Sequence, residues 1–250
     1  MVHRTEERQR TITVISVIVT AIAVTAFVAF DPGTLGTRIR EAIGAEGRIH
    51  PEVQEQGIPG GHYEFLATQR GDDEPVRWNP CREIQYVVNP DGSPPEWKAL
   101  VEDGIGEVED RTGLAFRFDG TTEDRDFEDR FAANGDALPV LIGWADDDEV
   151  PDLEGDVAGI GGATYAEVGG RRAYVTGMVV LDVDTYDKLA SSKDAESVQL
   201  AVLLHELGHL VGLAHVDDRG EIMYADGVTR TTYGTGDLDG LARLGAGDCR

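Results

Sequence analysis

The sequence predicts an α+β fold: a twisted mixed sheet of about five strands with three helices, preceded by one N-terminal transmembrane helix. Three observations predict it. Segments of period two and of period 3.6 follow one another in the order strand, helix, several strands, helix, helix, which suits helices packed on a sheet. The 250 residues allow one domain of roughly 150–200 residues with a real core, plus an extra segment. That segment opens the chain, where Thr11–Phe30 carries no charge.

At about 1.5 Å per residue this run crosses a hydrocarbon core of about 30 Å, and it exceeds the apolar core of a cleaved signal peptide. It is read as a signal-anchor over residues 11–30, with a cleaved signal peptide and a secreted form as the alternative. Arg4, Arg8 and Arg10 favour a cytoplasmic side for residues 1–10 and an extracellular side for the rest. Residues 31–75 are rich in Gly, Pro and charge and are expected to be a stalk in which His50 and His62 are solvated. The folded domain is expected over residues 76–250.

Within it, Glu83–Val88 alternates and is β-rich, so it is a strand. Ser93-Pro94-Pro95 starts a helix whose stripe is Leu100, Val101, Ile105 and Val108, and Gly113 ends it. Leu114–Phe118 and Leu138–Trp144 are strands separated by an acidic loop. An irregular stretch rich in Asp and Gly covers 145–162, followed by strands near Ala163–Val168 and Ala173–Val183. Ser197–Leu210 is an apolar helix and Leu238–Leu244 a short closing one.

Beyond residue 30 the chain has 19 Lys and Arg against 45 Asp and Glu, a net charge of −26. Such a field repels nucleic acid and anionic lipid and excludes both as partners of the domain. The two cysteines, Cys81 and Cys249, stand at opposite ends of the domain; outside the membrane they suit a disulfide, and two buried thiols are the alternative.

The chemistry concentrates in LLHELGHLVGLAH, residues 203–215. Positions four apart share a helical face, so His205 and His209 present two imidazoles to one point. A catalytic zinc site needs three protein ligands and an open fourth position, and His215 is the natural third. On a continued helix His209 and His215 would point about 240° apart. Gly212 supplies the break that brings His215 back. Glu206 adjoins the first ligand and reaches the water rather than the ion. A lone HExxH arises by chance in roughly one per cent of chains this long, but Gly212 and His215 at fixed offsets make an accident several hundred-fold rarer, on the order of magnitude that composition allows.

His205-Glu206-x-x-His209-x-x-Gly212-x-x-His215 with Met223 after it resembles the metzincin zinc endopeptidases, whose extended motif and methionine turn it shares. With Ile222-Met223-Tyr224 it looks most like the matrixins, the matrix metalloproteinase branch, in their compact microbial form. Gly177–Asp182 resembles the strand before their active-site helix and Asp237–Gly245 their closing helix. The resemblance implies a metzincin-like fold, one zinc ion on His205, His209 and His215, Glu206 as general base and Met223 as an apolar floor beneath the metal. It implies an extended peptide substrate pairing with an exposed strand edge, expected near Ala163, Thr164 and Tyr165, and a pocket loop at Ala225–Gly236. No cysteine-switch propeptide matches before Trp78, which favours the Cys81–Cys249 disulfide over a latency switch. No histidine lies between His62 and His205 to build a second zinc site. Asp146, Asp147, Asp148, Glu149, Asp152, Glu154 and Asp156 offer oxygen ligands that calcium would accept.

Together these features predict a membrane-anchored extracellular zinc endopeptidase acting on proteins or peptides through a zinc-activated water. The alternative is a membrane-tethered, non-catalytic binding or assembly module with a zinc site, which would normally close four protein ligands around its ion.

Overall fold

The computed structural model describes residues 47–57 and 61–249. Its strands are β1 (Glu64–Phe65), β2 (Glu83–Val88), β3 (Ala115–Thr121), β4 (Val140–Ala145), β5 (Gly159–Val168), β6 (Arg171–Asp182) and β7 (Leu213–Ala214). Its helices are α1 (Trp97–Thr112), α2 (Val183–Leu189), α3 (Ala195–Val211) and α4 (Thr235–Gly245). The main sheet has the order β3-β2-β4-β6-β5, parallel throughout except for β5, which runs antiparallel to β6 and forms one edge. The α+β class and the five-stranded mixed sheet are as expected.

Side-chain alternation in the central strand explains the layers. Val140, Ile142 and Trp144 of β4 face the helices and join the core with Leu203, Leu207 and Leu210 of α3, whereas Leu141 and Ala145 face the other way, onto Phe127, Leu153 and Val180. The second face is thus covered by the long connections around β4 and not by helices. Helix α1 buries Val101, Ile105 and Val108 and ends at Gly113, whose φ of 67° is the left-handed cap expected of glycine.

Four differences from expectation stand out. Helix α2 makes four helices among the described residues where three were expected; it is only seven residues long, and its start is set by the Asp182 carboxylate accepting from Thr185 N at 2.7 Å. Strand β5 begins at Gly159 rather than near Ala163 because its glycines, which read as loop, lie flat against α3. The folded unit starts at Arg48, so residues 48–57 and 61–75 are not a free stalk. Gln56 and Gly57 donate their backbone N–H to Asp239 Oδ1 at 2.6 and 3.2 Å, and Arg48 Nη1 donates to the Gly245 and Gly247 carbonyls. His62 contacts Asp218 Oδ2 through Nδ1 at 2.9 Å, although its side chain is largely exposed.

The fourth concerns calcium. Among the described residues, the histidine triad alone is a group of three or more side chains placed to hold an ion. In the acidic loop, Asp146 Oδ1 instead accepts from Glu149 N, and Glu149 pairs with Arg125. Calcium binding by these acids is therefore not supported among the described residues. Cys81 and Cys249 are joined in a disulfide, with Cα atoms 5.3 Å apart. The apolar run Thr11–Phe30 and residues 31–46 fall outside the described residues, among which no helix is long and apolar enough to cross a membrane.

Candidate metal centre

Helix α3 carries His205 and His209 one turn apart, and it ends where Gly212 takes φ 122°, a backbone that side-chain-bearing residues rarely adopt. The chain then reverses through β7, and His215 returns to the helix. β7 is held from outside by β1, with Glu64 opposite Ala214 and Phe65 opposite Leu213, and Leu66 N donates to the Gly212 carbonyl at 2.9 Å. The upstream segment is therefore part of the support of the third histidine.

His215 Nε2 lies 3.0 Å from His205 Nε2 and 3.1 Å from His209 Nε2. A tetrahedral zinc 2.0–2.1 Å from each nitrogen requires them about 3.3–3.4 Å apart, so the triad is close to ligating geometry. The protons argue the same way. His205 Nδ1 donates to the Ile222 carbonyl at 2.7 Å and His209 Nδ1 to the Leu213 carbonyl at 2.8 Å, because a carbonyl can only accept. In the neutral rings both Nε2 atoms are then bare lone pairs. One proton on His215 Nε2 can serve only one of its two contacts, leaving a lone pair facing a lone pair unless a cation sits between them. Burial also holds all three histidines below their usual range, His209 down to about 3, which keeps them neutral as ligands must be. The residues fit zinc.

Glu206 is buried beside the triad. Burial raises its carboxyl to about 8, opposed by a hydrogen bond from the Gly161 N–H. Two glycines of β5 make room for it. A Cβ at Gly159 would lie 2.9 Å from Glu206 Cγ, and one at Gly161 would overlap the Glu206 backbone. The cleft at the triad is lined by Leu66, Gly159, Ile160, Gly161, His205, Glu206, His209 and His215. Ala163, Thr164 and Tyr165 lie farther along the same edge strand and do not line it. Sequence reasoning missed Gly159–Gly161 and Leu66; the pairing of glycines two apart, on one pleat face, was the available signal.

Met223 is buried and packs its sulfur against Gly208, the residue directly before His209. Its turn is tied to the residue after the third histidine, since Val216 N donates to the Met223 carbonyl at 2.9 Å and Ala225 N to the Val216 carbonyl at 3.1 Å. Two acids unremarked in the sequence fix the same region. Asp237 accepts from Ile222 N and Gly234 N at 2.5 and 2.8 Å, and Glu221 accepts from Gly236 N and Asp237 N at 2.9 Å each.

No curated protein matches the chain. Among solved structures it is similar to archaemetzincin of Methanopyrus kandleri, with 16% identity and a TM-score of 0.38 over 63% of this chain and 86% of that one. The model of the matrixin family matches residues 82–233, from the start of β2 to the end of the loop after Met223. That match takes in more than half of the sequence together with all three histidines, and by it the chain belongs to the matrixins and is a zinc metalloendopeptidase.

Proposed function

We propose that the protein is a membrane-anchored endopeptidase working outside the cell, with His205, His209 and His215 holding one zinc ion and Glu206 as the general base. The observation that carries the site assignment is the convergence of three Nε2 atoms, two of them on rings whose Nδ1 protons are already committed to carbonyls, with a buried carboxyl next to them. The anchor and the outside location rest on the uncharged run Thr11–Phe30 and the arginines before it.

Zinc, when bound, supplies Lewis acidity that polarises the scissile carbonyl and makes nearby water easier to deprotonate. A dication also favours the ionised form of Glu206, which burial alone disfavours. The Glu206 carboxylate takes a proton from the attacking water as its oxygen bonds to the carbonyl carbon. It then delivers that proton to the amine nitrogen as the C–N bond breaks. The free edge of β5 offers backbone groups to an extended substrate, which positions a peptide without demanding a sequence. Gly159 to Gly161 are the part of that edge at the reacting centre, and the Gly161 N–H orients the base.

The test is Glu206→Gln. Zinc content should stay at one ion per chain while cleavage of an unfolded protein such as reduced casein falls by about 10²–10⁴-fold. Undiminished cleavage would remove Glu206 from the mechanism. Zinc-loaded wild type that leaves casein and peptide libraries untouched would favour the non-catalytic module instead.

A further inference from the structure

The residues around β1 alternate. Tyr63, Phe65 and Ala67 pack against the core, and Leu66, between two of them, is 47% exposed. A single leucine on a surface needs no explanation. This one lines the cleft together with the three histidines, Glu206 and Gly159–Gly161. It is also held there from two sides. Toward the helix, Leu66 N donates to the Gly212 carbonyl at 2.9 Å. Toward the sheet, the Ala67 carbonyl accepts from Val76 N at 2.9 Å and the Thr68 carbonyl from Arg172 Nη1 at 3.1 Å. Gln69 clasps the backbone of the same arginine, accepting from Arg172 N at 3.0 Å and donating to the Arg172 carbonyl at 2.9 Å. The leucine therefore stands on fixed backbone, and a substrate meeting it has no loop to order.

The position of Leu66 along the cleft decides which part of a substrate it meets. β5 advances beside α3 in the same direction as the helix. A Cβ at Gly159 would meet Glu206, whereas one at Gly177, the partner of Ala163, would meet both the Gly162 carbonyl and Leu210. Leu66, bonded to Gly212 where α3 ends, is thus on the Ala163 side of the reacting centre. A peptide added to the free edge of β5 pairs more stably antiparallel than parallel. Running that way, its residues before the scissile bond lie toward Ala163 and Leu66. We propose that Leu66 is a specificity-determining residue, forming an apolar subsite that selects a leucine-sized side chain on the amino-terminal side of the scissile bond. Leu66 lies outside residues 82–233, so this subsite comes from the upstream segment of the chain and not from the part matched by the family model. The inference rests on the peptidase reading of the triad.

The experiment uses zinc-loaded full-length chain and peptides in which each position flanking the scissile bond is in turn leucine, alanine or arginine, with kcat/KM and the cleaved bond determined for each. Leu66→Ala shortens the side chain and Leu66→Glu reverses its character, while both keep the N–H to Gly212. Phe118→Ala, at a comparably exposed residue of β3 on the opposite edge of the sheet, is the control. Zinc content and thermal midpoint are measured for all. At one position before the scissile bond the wild type is expected to prefer leucine to alanine by about tenfold, the low end for an apolar contact, and Leu66→Ala to lose most of that preference. Leu66→Glu should prefer arginine there, and Phe118→Ala should keep the wild-type profile. A wild-type profile retained in both Leu66 variants overturns the proposal and leaves the peptidase reading intact, as does a change confined to positions after the scissile bond. A uniform fall over all peptides accompanied by loss of zinc also overturns it, because Leu66 would then serve the metal and not the substrate. A wild type that cleaves none of the peptides removes the peptidase reading and the subsite with it.

Discussion

At the scale of single residues, the site depends on atoms that have no side chain as much as on those that do. Gly161→Ala places a methyl group in the backbone of Glu206, and since neither β5 nor α3 can move without disturbing the sheet or the triad, a loss of about 1–3 kcal/mol is expected in denaturant unfolding. Cleavage should fall further than that stability loss implies, because the Gly161 N–H no longer orients the base. The histidines give a separate prediction for chelated protein. Their folded-state values lie below the ordinary value of about 6.5, His209 at about 3, so the neutral forms favour folding. That contribution is complete above about pH 6.5 and is lost as pH falls from there toward 3. The raised Glu206 carboxyl acts in the opposite sense as pH falls from about 8, so the histidine contribution is read as a difference: the thermal midpoint of the metal-free wild type relative to His209→Gln should fall as pH drops through that window. The triad and Gly212 were legible in the sequence because metal geometry and helical pitch dictate their offsets. Glu221 and Asp237 were not legible as partners of backbone amides, because such bonds impose no recurring spacing, and the glycines two apart, Gly159 and Gly161, were hidden in a stretch whose Asp and Gly read as loop.

At the scale of elements, the third ligand depends on a pairing two residues long. β1 and β7 are too short for any periodicity, and α2 is too brief for an apolar stripe, which is why none of the three was expected. The longer elements were legible: Val101, Ile105 and Val108 gave α1, and the apolar run to Leu210 gave α3. Leu66 tests whether β1 matters to the metal. Leu66→Pro removes the N–H that donates to the Gly212 carbonyl, while the extended conformation proline imposes on Phe65 is already that of a strand. Zinc affinity measured by chelator competition should fall about tenfold or more, as for other groups that orient ligands. Leu66→Ala keeps the N–H and should leave zinc affinity unchanged. Equal affinity in all three proteins would limit β1 to a packing role.

At the scale of the molecule, the two ends of the described residues are fastened near the same place. Residues 48–57 lie along α4 through Asp239 and the Gly245 and Gly247 carbonyls, and the disulfide joins Cys249, just past that helix, to Cys81, just before β2. The docking of residues 48–57 was invisible in the sequence because it runs through backbone amides and carbonyls, and a stretch of Gly, Pro and charge looks the same whether free or laid on a helix. The cysteines were visible as a pair, and their role is open to a direct measurement. The bond closes a loop with a sequence separation of 168 residues, so in the chain-entropy account it restricts the unfolded chain strongly. Replacing both cysteines by serine should lower unfolding free energy by about 3–5 kcal/mol. The cleft residues come from β5, α3, the segment at Leu66 and His215 after β7, none of which is next to either cysteine in sequence, so kcat/KM of the folded double variant at 15 °C should stay within about twofold of wild type while its thermal midpoint falls. A parallel loss of zinc would instead mean that α4, freed at its end, no longer holds the Asp237 and Glu221 contacts to the turn around Met223.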